Sequence, residues 1–578
     1  MSKANCPAIK TQVLVIGGGP GGAYAASVLA REGVQVTLLE ATKFPRYHIG
    51  ESMLPSLKLF LRYIDAEEKV KSHGFCVKPG AAVKLNQFKR EGCEDRLSLE
   101  IMRVHADDGG SLSDTDFLAH DPDNGSWNVI RSEFDEILLR HASESGATVL
   151  EEHKVTEILF TKVASSLGSE LGAKEENNEL GRPTSARYTS PKGAGRIEFD
   201  YLVDASGRGG VMSTKYLKNR RMNRSLKNVA CWGYWTGDLK MYHPGTGREN
   251  APWFEALTDE SGWAWFIPLH GGKVSVGIVM SQDISSSKKA LSRAQNPDAT
   301  LKDHYISELR LAPGVLDLLG NGTLVEIGSD VDTSGNYSGI KAAGDYSYSP
   351  ERYSGEGWRL VGDAGAFIDP FFSSGVHLAI LGGLTAALTI TASIRGHCSE
   401  AVAADFYNIK SATAYTRFLV VVMSIYRQIR NQSLDVLSDL DEDNFDRAFD
   451  ILRPVIQGTA DVGKKVTEDE LQKTMDFCTH VFAPADTELT KSVAARFGGP
   501  TSPLLSIAAP VFSAAELSAV IDSTDTDAMA VISRINSAKV LGPMWVKGPA
   551  MMENEPVGGW VARLEKGALG LVPSEVEE

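Results

Sequence analysis

The sequence is poor in cysteine and has fewer basic than acidic residues, and each shortage excludes a class of protein. Its 578 residues include six cysteines, which are scattered without a C-x-x-C pair. A chain of this length needs no disulfide framework to fold, so reduced thiols and a cytoplasmic location fit best. The 59 basic and 74 acidic residues give a net charge of −15, which argues against nucleic acid as a partner.

Sequence patterns for membrane insertion and for metal binding are also missing. No hydrophobic signal segment precedes the first predicted strand, which argues against secretion. Residues 376–394 are uncharged but include a histidine, two glycines and four hydroxyl side chains, so we predict a buried helix rather than a membrane span. The 12 histidines form no H-E-x-x-H or clustered Cys/His motif, and no G-x-S-x-G elbow is present. We therefore expect neither a metal site nor a serine hydrolase.

Residues 12–40 have the pattern of a dinucleotide-binding βαβ unit. A predicted strand leads into a G-x-G-x-x-G motif that begins at Gly17, a helix follows, and a second strand ends at Glu40. The glycines allow a tight turn and let backbone amides approach a pyrophosphate, and an acidic residue at this place accepts hydrogen bonds from a ribose. The predicted nucleotide-binding residues are Gly17, Gly18, Gly19, Gly21, Gly22 and Glu40.

A second nucleotide-facing element is RLVGDAGAFIDPFFSSGVHLAI, at 359–380. It combines a short strand, a turn at Asp363 and a helix that begins near Gly375. The Asp363 carboxylate can bind a sugar-like polyol. The amides of Ser374, Gly375 and Val376 at the helix start form an anion site, because their N–H groups are unsatisfied and the helix dipole is positive there.

Two of the nine tryptophans occur together, in SGWAWFIPLHGG at 261–272. The spacing predicts a strand that projects Trp263 and Trp265 on the same face. From this stretch alone, two interpretations remain open. The pair either packs in the core against a neighbouring element or faces a flat or bulky ligand.

Taken together, these motifs resemble the FAD-dependent single-component monooxygenases. The resemblance rests on GGGPGG, on Arg46 and Glu51 in FPRYHIGESMLP, on Arg131 in WNVIRSEFDEIL, and on YLVDASGRGG and GDAGAFIDP. Within that superfamily, WAWFIP matches the W-x-W-x-I-P motif of flavin-dependent halogenases, and DPFFSSG resembles their flavin and halide loop. RYHIGESMLPS, VKPGAA and FIDPFFSSG are most similar to the fungal-type halogenases of free phenolic, often polyketide-derived substrates. The resemblance extends from about residue 11 to about 430.

The resemblance implies an α/β fold in which a Rossmann-type FAD-binding domain is interleaved with a β-sheet substrate domain and followed by a helical C-terminal region. A helical cap is expected over the substrate cavity, and an extension of unknown role comes after it. The expected bounds are 11–75, 126–163, 196–215 and 355–395 for the FAD-binding domain, 76–125 and 216–354 for the sheet domain, 396–482 for the cap and 483–578 for the extension.

The resemblance also implies the chemistry. Reduced FAD reacts with O2 to form a flavin hydroperoxide, which chloride or bromide converts into a hypohalous acid. A hydroxylase would instead let the organic substrate take the oxygen directly. The tryptophan pair is therefore expected to keep the substrate away from the flavin while a small oxidant passes. The residues of this barrier motif are Trp263, Trp265, Ile267 and Pro268.

The other site residues are carried over from the motifs of the family. Lys78 in VKPGAA is the expected catalytic lysine, which either hydrogen-bonds the hypohalous acid or takes up the halogen as a haloamine once burial lowers its pKa. Lys84 is close enough in sequence to compete. Ser373 is expected to link the halide loop to Lys78, and chloride is expected on the amides of Ser374 and Gly375. The FAD-binding residues beyond the glycine motif are Arg46, Glu51, Arg131, Asp363 and Val376.

One departure from the family pattern bears on the substrate. Tryptophan halogenases have a glutamate before the loop serine, where this chain has Phe372. An indole needs help to stabilise and deprotonate its cationic intermediate, whereas a phenol, with a pKa of about 10, releases electron density through its own oxygen. We therefore expect an electron-rich phenolic secondary metabolite. The exact substrate, the position halogenated, the preferred halide and the oligomeric state stay open.

Two other functions remain open from the sequence. An FAD- and NAD(P)H-dependent aromatic hydroxylase shares the fold, but Ser206 stands where that group commonly has the aspartate of its DG motif. In a non-catalytic flavin-binding sensor, the tryptophan pair and Lys78 would be ordinary packing and surface residues. No second Rossmann motif for a nicotinamide is evident, so we expect a separate flavin reductase to supply reduced FAD.

The composition of the segments outside the motifs predicts their structure. Residues 164–195 are expected to form a surface insertion, and residues 93–125 a loop between strands. From about 396 onward the apolar spacing is helical, for example in LDVLSDLDEDNFDRAFDILRPVIQ. The tail, rich in proline and glycine, either packs on the body of the protein or binds a partner.

Overall fold

Two large β-sheets form the framework of the protein, which we describe from a computed structural model. The structure describes residues 9–85, 87, 115–116, 125–161, 180–325, 339–432 and 556–574, together with parts of 492–538. Within these ranges each large sheet contains eight strands. The strands are β1 (Ile9–Ile16), β2 (Val36–Leu39), β3 (Cys76–Lys78), β4 (Gly80–Lys84), β5 (Thr115–Asp116), β6 (Ser126–Asn128), β7 (Thr148–Leu150), β8 (Lys154–Phe160), β9 (Pro183–Ser190), β10 (Gly193–Asp204), β11 (Arg220–Thr236), β12 (Trp253–Ala256), β13 (Gly262–Pro268), β14 (Val274–Ser281), β15 (Thr323–Leu324), β16 (Lys341–Pro350), β17 (Ser354–Gly355), β18 (Trp358–Leu360), β19 (Trp560–Arg563) and β20 (Gly570–Pro573).

Helices cover the sheets and connect them. The α-helices are α1 (Pro20–Arg31), α2 (Ser56–Tyr63), α3 (Glu67–Ser72), α4 (Arg131–Glu144), α5 (Gln282–Gln295), α6 (Leu301–Leu309), α7 (Pro313–Leu319), α8 (Gly375–Ile394), α9 (Glu400–Ile429), α10 (Ala514–Val520) and α11 (Thr526–Ala538). Short 3-10 turns occur at Gly207–Gly209, His270–Gly272, Gly362–Ala364 and Pro370–Phe372, and a π-helical turn occurs at Val211–Tyr216.

The first sheet has a parallel centre. β1 lies between β10 and β2, and the order across the centre is β18-β10-β1-β2-β7, with every neighbouring pair parallel. Strands covered on both faces read as continuous apolar runs, and accordingly all four residues of β2, VTLL, are buried. This is the sheet that the βαβ pattern at 12–40 predicts.

The second sheet is mostly antiparallel and contains the two tryptophans. Its order is β15-β11-β14-β13-β12-β4-β5, with β16 paired to β11. Only the β4–β12 pair is parallel within the described part of this sheet. All seven residues of β13 are buried, so this strand has packing partners on both of its faces.

The expected surface insertion at 164–195 and the expected loop at 93–125 both contain strands. β9 lies within 164–195, forms a hairpin with β10 and also pairs with β8. Because both neighbours satisfy its backbone, its polar side chains on the outer face do not prevent a strand. β5 lies within 93–125 and pairs with β4. Most of the remaining residues of both segments lie outside the described residues.

Helices α1 and α8 pack closely and run in the same direction. An added Cβ at Gly21, near the start of α1, would lie 2.6 Å from the carbonyl oxygen of Ala379. An added Cβ at Gly383 would lie 2.5 Å from the carbonyl oxygen of Gly21. At the other end, the Arg395 guanidinium lies 2.9 Å from the Glu32 carboxylate. Glycine therefore permits the close approach, and the N-termini of the two helices point the same way.

Helix α8 confirms the predicted buried helix at 376–394. By length and apolar composition it could cross a membrane, but 78% of its most apolar window is buried inside the protein. It packs against both α1 and α9. The expected helical cap begins with the 30-residue α9, whereas the periodic segment LDVLSDLDEDNFDRAFDILRPVIQ lies outside the described residues.

The end of the chain returns to the first sheet and its helices. The β19–β20 hairpin places Val557, Leu569 and Leu571 in the same apolar core as α1 and α8. The Glu32 carboxylate accepts hydrogen bonds from the backbone N–H groups of Gly567 and Leu569, at 2.9 and 3.2 Å. Of the two expectations for the tail, packing on the body is therefore confirmed for residues 556–574.

Candidate active site

The glycine-rich turn between β1 and α1 leaves no room for side chains. Gly17 has a φ of +100°, and an added Cβ there would lie 2.3 Å from the carbonyl oxygen of Ala205. An added Cβ at Gly22 would lie 2.0 Å from the carbonyl oxygen of Gly17. Gly18 donates its backbone N–H to the Glu40 carboxylate at 2.7 Å. The turn thus places the acidic residue beside the start of α1, as the motif predicts.

A buried carboxylate joins the two arginines taken from the sequence motifs. Asp135, on the first turns of α4, accepts two hydrogen bonds from Arg131 at 2.8 and 3.0 Å and one from Arg46 at 2.9 Å. Burial alone would raise the pKa of Asp135, but the two arginines lower it. Arg46 also lies against the glycine turn, since an added Cβ at Gly19 would be 3.4 Å from its Nη2 atom. Asp135 lies within WNVIRSEFDEIL but was not among the predicted site residues; its spacing of four residues from Arg131 on a helix is the signal that could have found it.

Glu51 lies between this arginine cluster and the second sheet. Its Oε1 atom accepts a hydrogen bond from Tyr234 at 2.7 Å, and the hydroxyl groups of Tyr234 and Tyr47 are 3.1 Å apart. Burial raises the pKa of Glu51 to about 7, although Tyr234, Ser275 and Arg131 lower it. Its side chain therefore changes charge near neutral pH.

Lys78 is buried rather than solvated. The side chain is 2% exposed, at the end of β3. Its Nζ atom donates hydrogen bonds to Oγ of Ser52 at 2.8 Å and to the carbonyl oxygen of Met53 at 3.0 Å. Burial lowers the pKa of Lys78 to about 7. The competing Lys84 is half-buried on β4, so the two lysines differ in environment although they are close in sequence.

The two tryptophans lie side by side, as the spacing predicts. The ring centroids of Trp263 and Trp265 are 5.8 Å apart, and both side chains are buried. Trp263 packs edge-on against Phe371 of the DPFFSSG loop, with 5.0 Å between centroids. Trp265 donates its indole N–H to Ser275 at 3.2 Å, and the Ser275 hydroxyl also lowers the pKa of Glu51. Ile267 and Pro268 continue the same buried strand.

The DPFFSSG loop, residues 369–375, ends at the N-terminus of α8. Ser373 has a left-handed backbone with a φ of +57°, Ser374 is the N-cap of the helix, and Gly375 is exposed. Val376, the next residue of the helix, is buried. The Ser374 hydroxyl is buried, and no hydrogen-bond partner for it exists among the described residues. The predicted link from Ser373 to Lys78 stays a prediction.

The polypeptide preceding α8 also presents charged groups. Burial raises the pKa of Asp363, while Arg208, Arg131 and Arg220 lower it. Arg220 donates hydrogen bonds to the backbone carbonyls of Asp363 and Ala364 in this turn, at 3.4 Å each, whereas Arg208 donates one to the carbonyl of Gly344 in β16. Neither arginine was predicted from the sequence. Arg208 approaches Asp363 because β10 and β18, which precede the turns that contain these two residues, are neighbours in the first sheet, and Arg220 approaches it from the start of β11 in the second sheet.

Three possible metal ligands meet away from this site. Oε2 of Glu133 lies 2.7 Å from Nε2 of His73 and 3.1 Å from Nε2 of His270, in a partly exposed group. A histidine that binds a metal through Nε2 keeps its proton on Nδ1 and usually donates it to a second group. In the described part of the chain, the buried Nδ1 of His270 has no such partner. The geometry therefore favours a hydrogen-bonded trio, and the expected absence of a metal site stays a prediction.

Comparison with known proteins gives one consistent result. The tryptophan halogenase family matches residues 12–92 and 124–435. A flavin-dependent halogenase of Armillaria mellea is 54% identical over 563 residues, which cover 97% of this chain and 98% of that protein. The sulochrin halogenase of Aspergillus terreus is 41% identical over 97% of this chain and 93% of its own length. The structure of the myxobacterial chondrochloren halogenase, an FAD-dependent enzyme, is similar with a TM-score of 0.57 and 26% identity over 82% of this chain and 98% of that chain.

Proposed function

This chain belongs to the tryptophan halogenase family, the flavin-dependent halogenases, and we propose that it halogenates an electron-rich phenolic secondary metabolite through Lys78. Membership makes it an oxidoreductase that uses FAD, O2 and a halide. The substrate class, the lysine step and the roles of the site residues are our proposals. The observation that supports the lysine step most directly is the burial of the Lys78 amine.

The described residues fit bound FAD. Two helix N-termini point the same way, and the Ser374 hydroxyl beside the second is buried without a described partner. An added Cβ at Gly375 would meet nothing within 4 Å, so the helix start faces open space. The glycine turn and the start of α1 would hold the pyrophosphate of FAD, and Glu40 would bind the ribose. Asp363 and the start of α8 would hold the rest of the FAD molecule. When bound, reduced FAD would supply two electrons to O2 and the halide the other two, so that one oxygen atom would end in the hypohalous acid and the other in water.

Lys78 then transfers the halogen. Hydrogen bonds to Ser52 and to the Met53 carbonyl position the amine, and in its neutral form nitrogen carries a lone pair. The lone pair attacks the halogen of the hypohalous acid, the O–X bond breaks, and water leaves with a proton from the amine. The N–X bond then breaks as the ring carbon takes the halogen, and the ring proton returns to nitrogen.

The buried tryptophan pair acts as the barrier between flavin and substrate. The packing of Trp263 on Phe371 and of Trp265 on Trp263 supports this role, because an element that seals a passage must not move. The amides of Ser374 and Gly375 hold the halide at the helix start. Arg46 and Arg131, oriented by Asp135, bind the phosphate side of FAD.

Phe372 supports a phenol as the substrate. This residue is buried and packs on Phe371, so no carboxylate is available at its position in the loop. A phenol activates its own ring, and the sulochrin halogenase among the relatives supports the same class of substrate. A separate flavin reductase supplies reduced FAD, and we place the enzyme in the cytoplasm.

The lysine step can be tested with the Lys78→Met variant. Purified protein, FAD, NADH, a flavin reductase, bromide and a panel of resorcylic and other phenols are incubated, and products are identified by mass and isotope pattern. We expect the variant to bind FAD normally and to lose about a thousandfold or more of the halogenation rate. Free hypohalous acid, trapped with monochlorodimedone, should still form, since Lys78 acts after it.

The Lys84→Met variant is the matched control, because it removes a half-buried lysine from the neighbouring strand. We expect its halogenation rate to stay within about twofold of the natural chain. Equal losses in the two variants, or full activity of Lys78→Met, would contradict the lysine step. Products that gain one oxygen and no halogen would contradict halogenation itself.

A further inference from the structure

A buried network of polar side chains connects the barrier strand to the DPFFSSG loop. Its centre is the hydroxyl group of Tyr426, near the C-terminal end of α9. This hydroxyl accepts hydrogen bonds from Nε1 of Trp263 at 2.8 Å and from Nδ2 of Asn228 at 2.8 Å. It donates one to Oδ2 of Asp369 at 2.6 Å. None of the four side chains is more than 3% exposed.

The chemistry of the four groups fixes the direction of every hydrogen bond. An indole N–H and an amide NH2 can only donate, and a carboxylate can only accept. A phenolic hydroxyl has one proton to donate and two lone pairs; here Asp369 accepts the proton, and Trp263 and Asn228 donate to the oxygen. Tyr426 therefore satisfies a buried donor of the barrier and a buried acceptor of the loop at the same time.

The network also closes on itself through an aromatic contact. Oδ1 of Asp369 accepts the backbone N–H of Phe371 at 3.1 Å. The Phe371 ring in turn packs edge-on against Trp263, with 5.0 Å between centroids and 75° between planes. Trp263, Tyr426, Asp369 and Phe371 thus form a closed circuit in which each member contacts the next.

We infer that Tyr426 is a positioning residue for halogenation, whose hydroxyl holds Trp263 against Phe371 and so keeps the barrier closed to the substrate. The inference rests on the proposed barrier role of Trp263. Apolar packing alone would favour contact between Trp263 and Phe371 in several orientations. The hydrogen bonds at the Tyr426 hydroxyl are directional, so they fix the orientation of the Trp263 ring. A loosened barrier lets the oxidising equivalent escape before it reaches the substrate.

Tyr305 provides a matched control for Tyr426. Its hydroxyl is also buried, accepts the indole N–H of Trp235 at 2.9 Å and donates to the Val276 carbonyl at 3.0 Å. It lies in a separate apolar cluster that does not contain the barrier tryptophans. Tyr305→Phe and Tyr426→Phe therefore remove the same kind of group, but only the second alters the barrier.

The first measurement compares coupling in the full-length enzyme with FAD. Coupling is the halogenated product formed per O2 consumed, and the loss is followed as hydrogen peroxide. We expect Tyr426→Phe and Trp263→Phe each to lower coupling about tenfold, because small displacements in a site have large effects on rate. The double variant should lose no more than the worse single variant, since both act on one unit. Tyr305→Phe should stay within about twofold of the natural chain.

The second measurement uses the FAD-free protein. Indole N–H groups are labelled with 15N-tryptophan, and the Trp263 signal is identified by its absence in Trp263→Phe. We expect hydrogen exchange of this N–H to be about tenfold faster in Tyr426→Phe, because its buried acceptor is gone. The exchange should be unchanged in Tyr305→Phe. This readout depends on the position of Trp263 and not on turnover.

Each outcome has a distinct meaning. Equal coupling and equal Trp263 exchange in Tyr426→Phe and Tyr305→Phe overturn the inference. Unchanged coupling in Trp263→Phe overturns the proposed barrier role itself, whereas a loss in Trp263→Phe without one in Tyr426→Phe overturns only the role of Tyr426. If Tyr426→Phe does not fold, Asn228→Ala tests the same network, and unchanged exchange of Trp263 in that variant counts against the inference.

Discussion

At the scale of single residues, burial changes what Lys78 can do. A solvated lysine is an ammonium at neutral pH, which has no lone pair to attack a halogen. Burial lowers the pKa of Lys78 to about 7, so a large part of the amine is neutral at that pH. The environment, rather than the residue type, makes this side chain a nucleophile.

The pH dependence of halogenation follows from this pKa. A group with a pKa of about 7 becomes neutral as pH rises, so its reactive fraction increases about tenfold from pH 6 to pH 8. We expect the halogen-transfer rate, measured in single-turnover mixing with saturating substrate, to rise by that factor and level off above pH 8. The midpoint should not move when ring substituents change the pKa of the substrate phenol. A rate that falls through pH 7 would mean that the ammonium form acts instead.

Asp135 is expected to stabilise both the fold and FAD binding. Its buried carboxylate accepts three hydrogen bonds from Arg131 and Arg46. Asp135→Asn leaves these cations without a charged partner, so we expect a loss of about 3 kcal/mol in the free energy of unfolding and weaker FAD binding. Urea unfolding of the FAD-free protein and a flavin fluorescence titration measure the two effects.

Glu136→Gln is the control for Asp135→Asn. Glu136 is the next residue, and it forms a partly exposed ion pair with Arg140 at 3.1 Å. A pair of this kind contributes about 1 kcal/mol or less. If Asp135→Asn and Glu136→Gln lowered the unfolding free energy equally, the arginine cluster would not depend on its central carboxylate.

At the scale of elements, the parallel pair α1 and α8 requires glycine at the contact. Gly383→Ala would bring a Cβ to 2.5 Å from the Gly21 carbonyl oxygen and force the helices apart. We expect a loss of about 2 kcal/mol in unfolding free energy and a clear drop in FAD affinity, because the two N-termini no longer point at one ligand. Thermal unfolding and FAD titration provide the measurement.

The neighbouring glycine is a close control. An added Cβ at Gly382 would lie 3.4 Å from the Tyr407 hydroxyl, which is a contact that a small shift accommodates. Alanine also has the higher helix propensity, so Gly382→Ala should be neutral or slightly stabilising. If Gly383→Ala had the same unfolding free energy as Gly382→Ala, the contact between α1 and α8 would tolerate a methyl group.

At the scale of the whole molecule, the C-terminal hairpin completes the core of the first sheet. Leu569 and Leu571 are fully buried there, and Glu32 binds the hairpin backbone. Removal of residues 556–578 exposes this core, and each buried leucine contributes about 2 kcal/mol. We expect a lower Tm and loss of FAD on gel filtration.

Removal of residues 575–578 alone, which follow the described hairpin, is the comparison for the longer deletion. It leaves the contacts of Leu569, Leu571 and Glu32 intact, so the Tm should not change. If the longer deletion had the same Tm as the full-length protein, the core of the first sheet would be stable without the hairpin.

Local patterns in the sequence determined the chemistry-bearing motifs. The G-x-G-x-x-G turn, the same-face tryptophans and the uncharged helix all follow from spacing, and the structure contains each of them. These predictions succeed because steric limits on a turn and the period of a strand or helix act between residues near in sequence. The family, the fold class and the halogenase activity followed from the same motifs and are confirmed, while the domain bounds stay a prediction.

The tertiary structure decided which residues serve those motifs. Asp135, Ser52 and Tyr426 bind Arg131, Lys78 and Trp263 respectively, and none of the three was a predicted site residue. Asp135 and Ser52 lie within the quoted motifs, but only the packing shows what they bind. The strand at 183–190 was not predicted from the sequence, and the choice between the two expectations for the tail came only with the docking of the C-terminal hairpin. Burial, pKa and hydrogen-bond partners depend on which distant segments pack together, and that is set by the closure of the whole core rather than by any one stretch of chain.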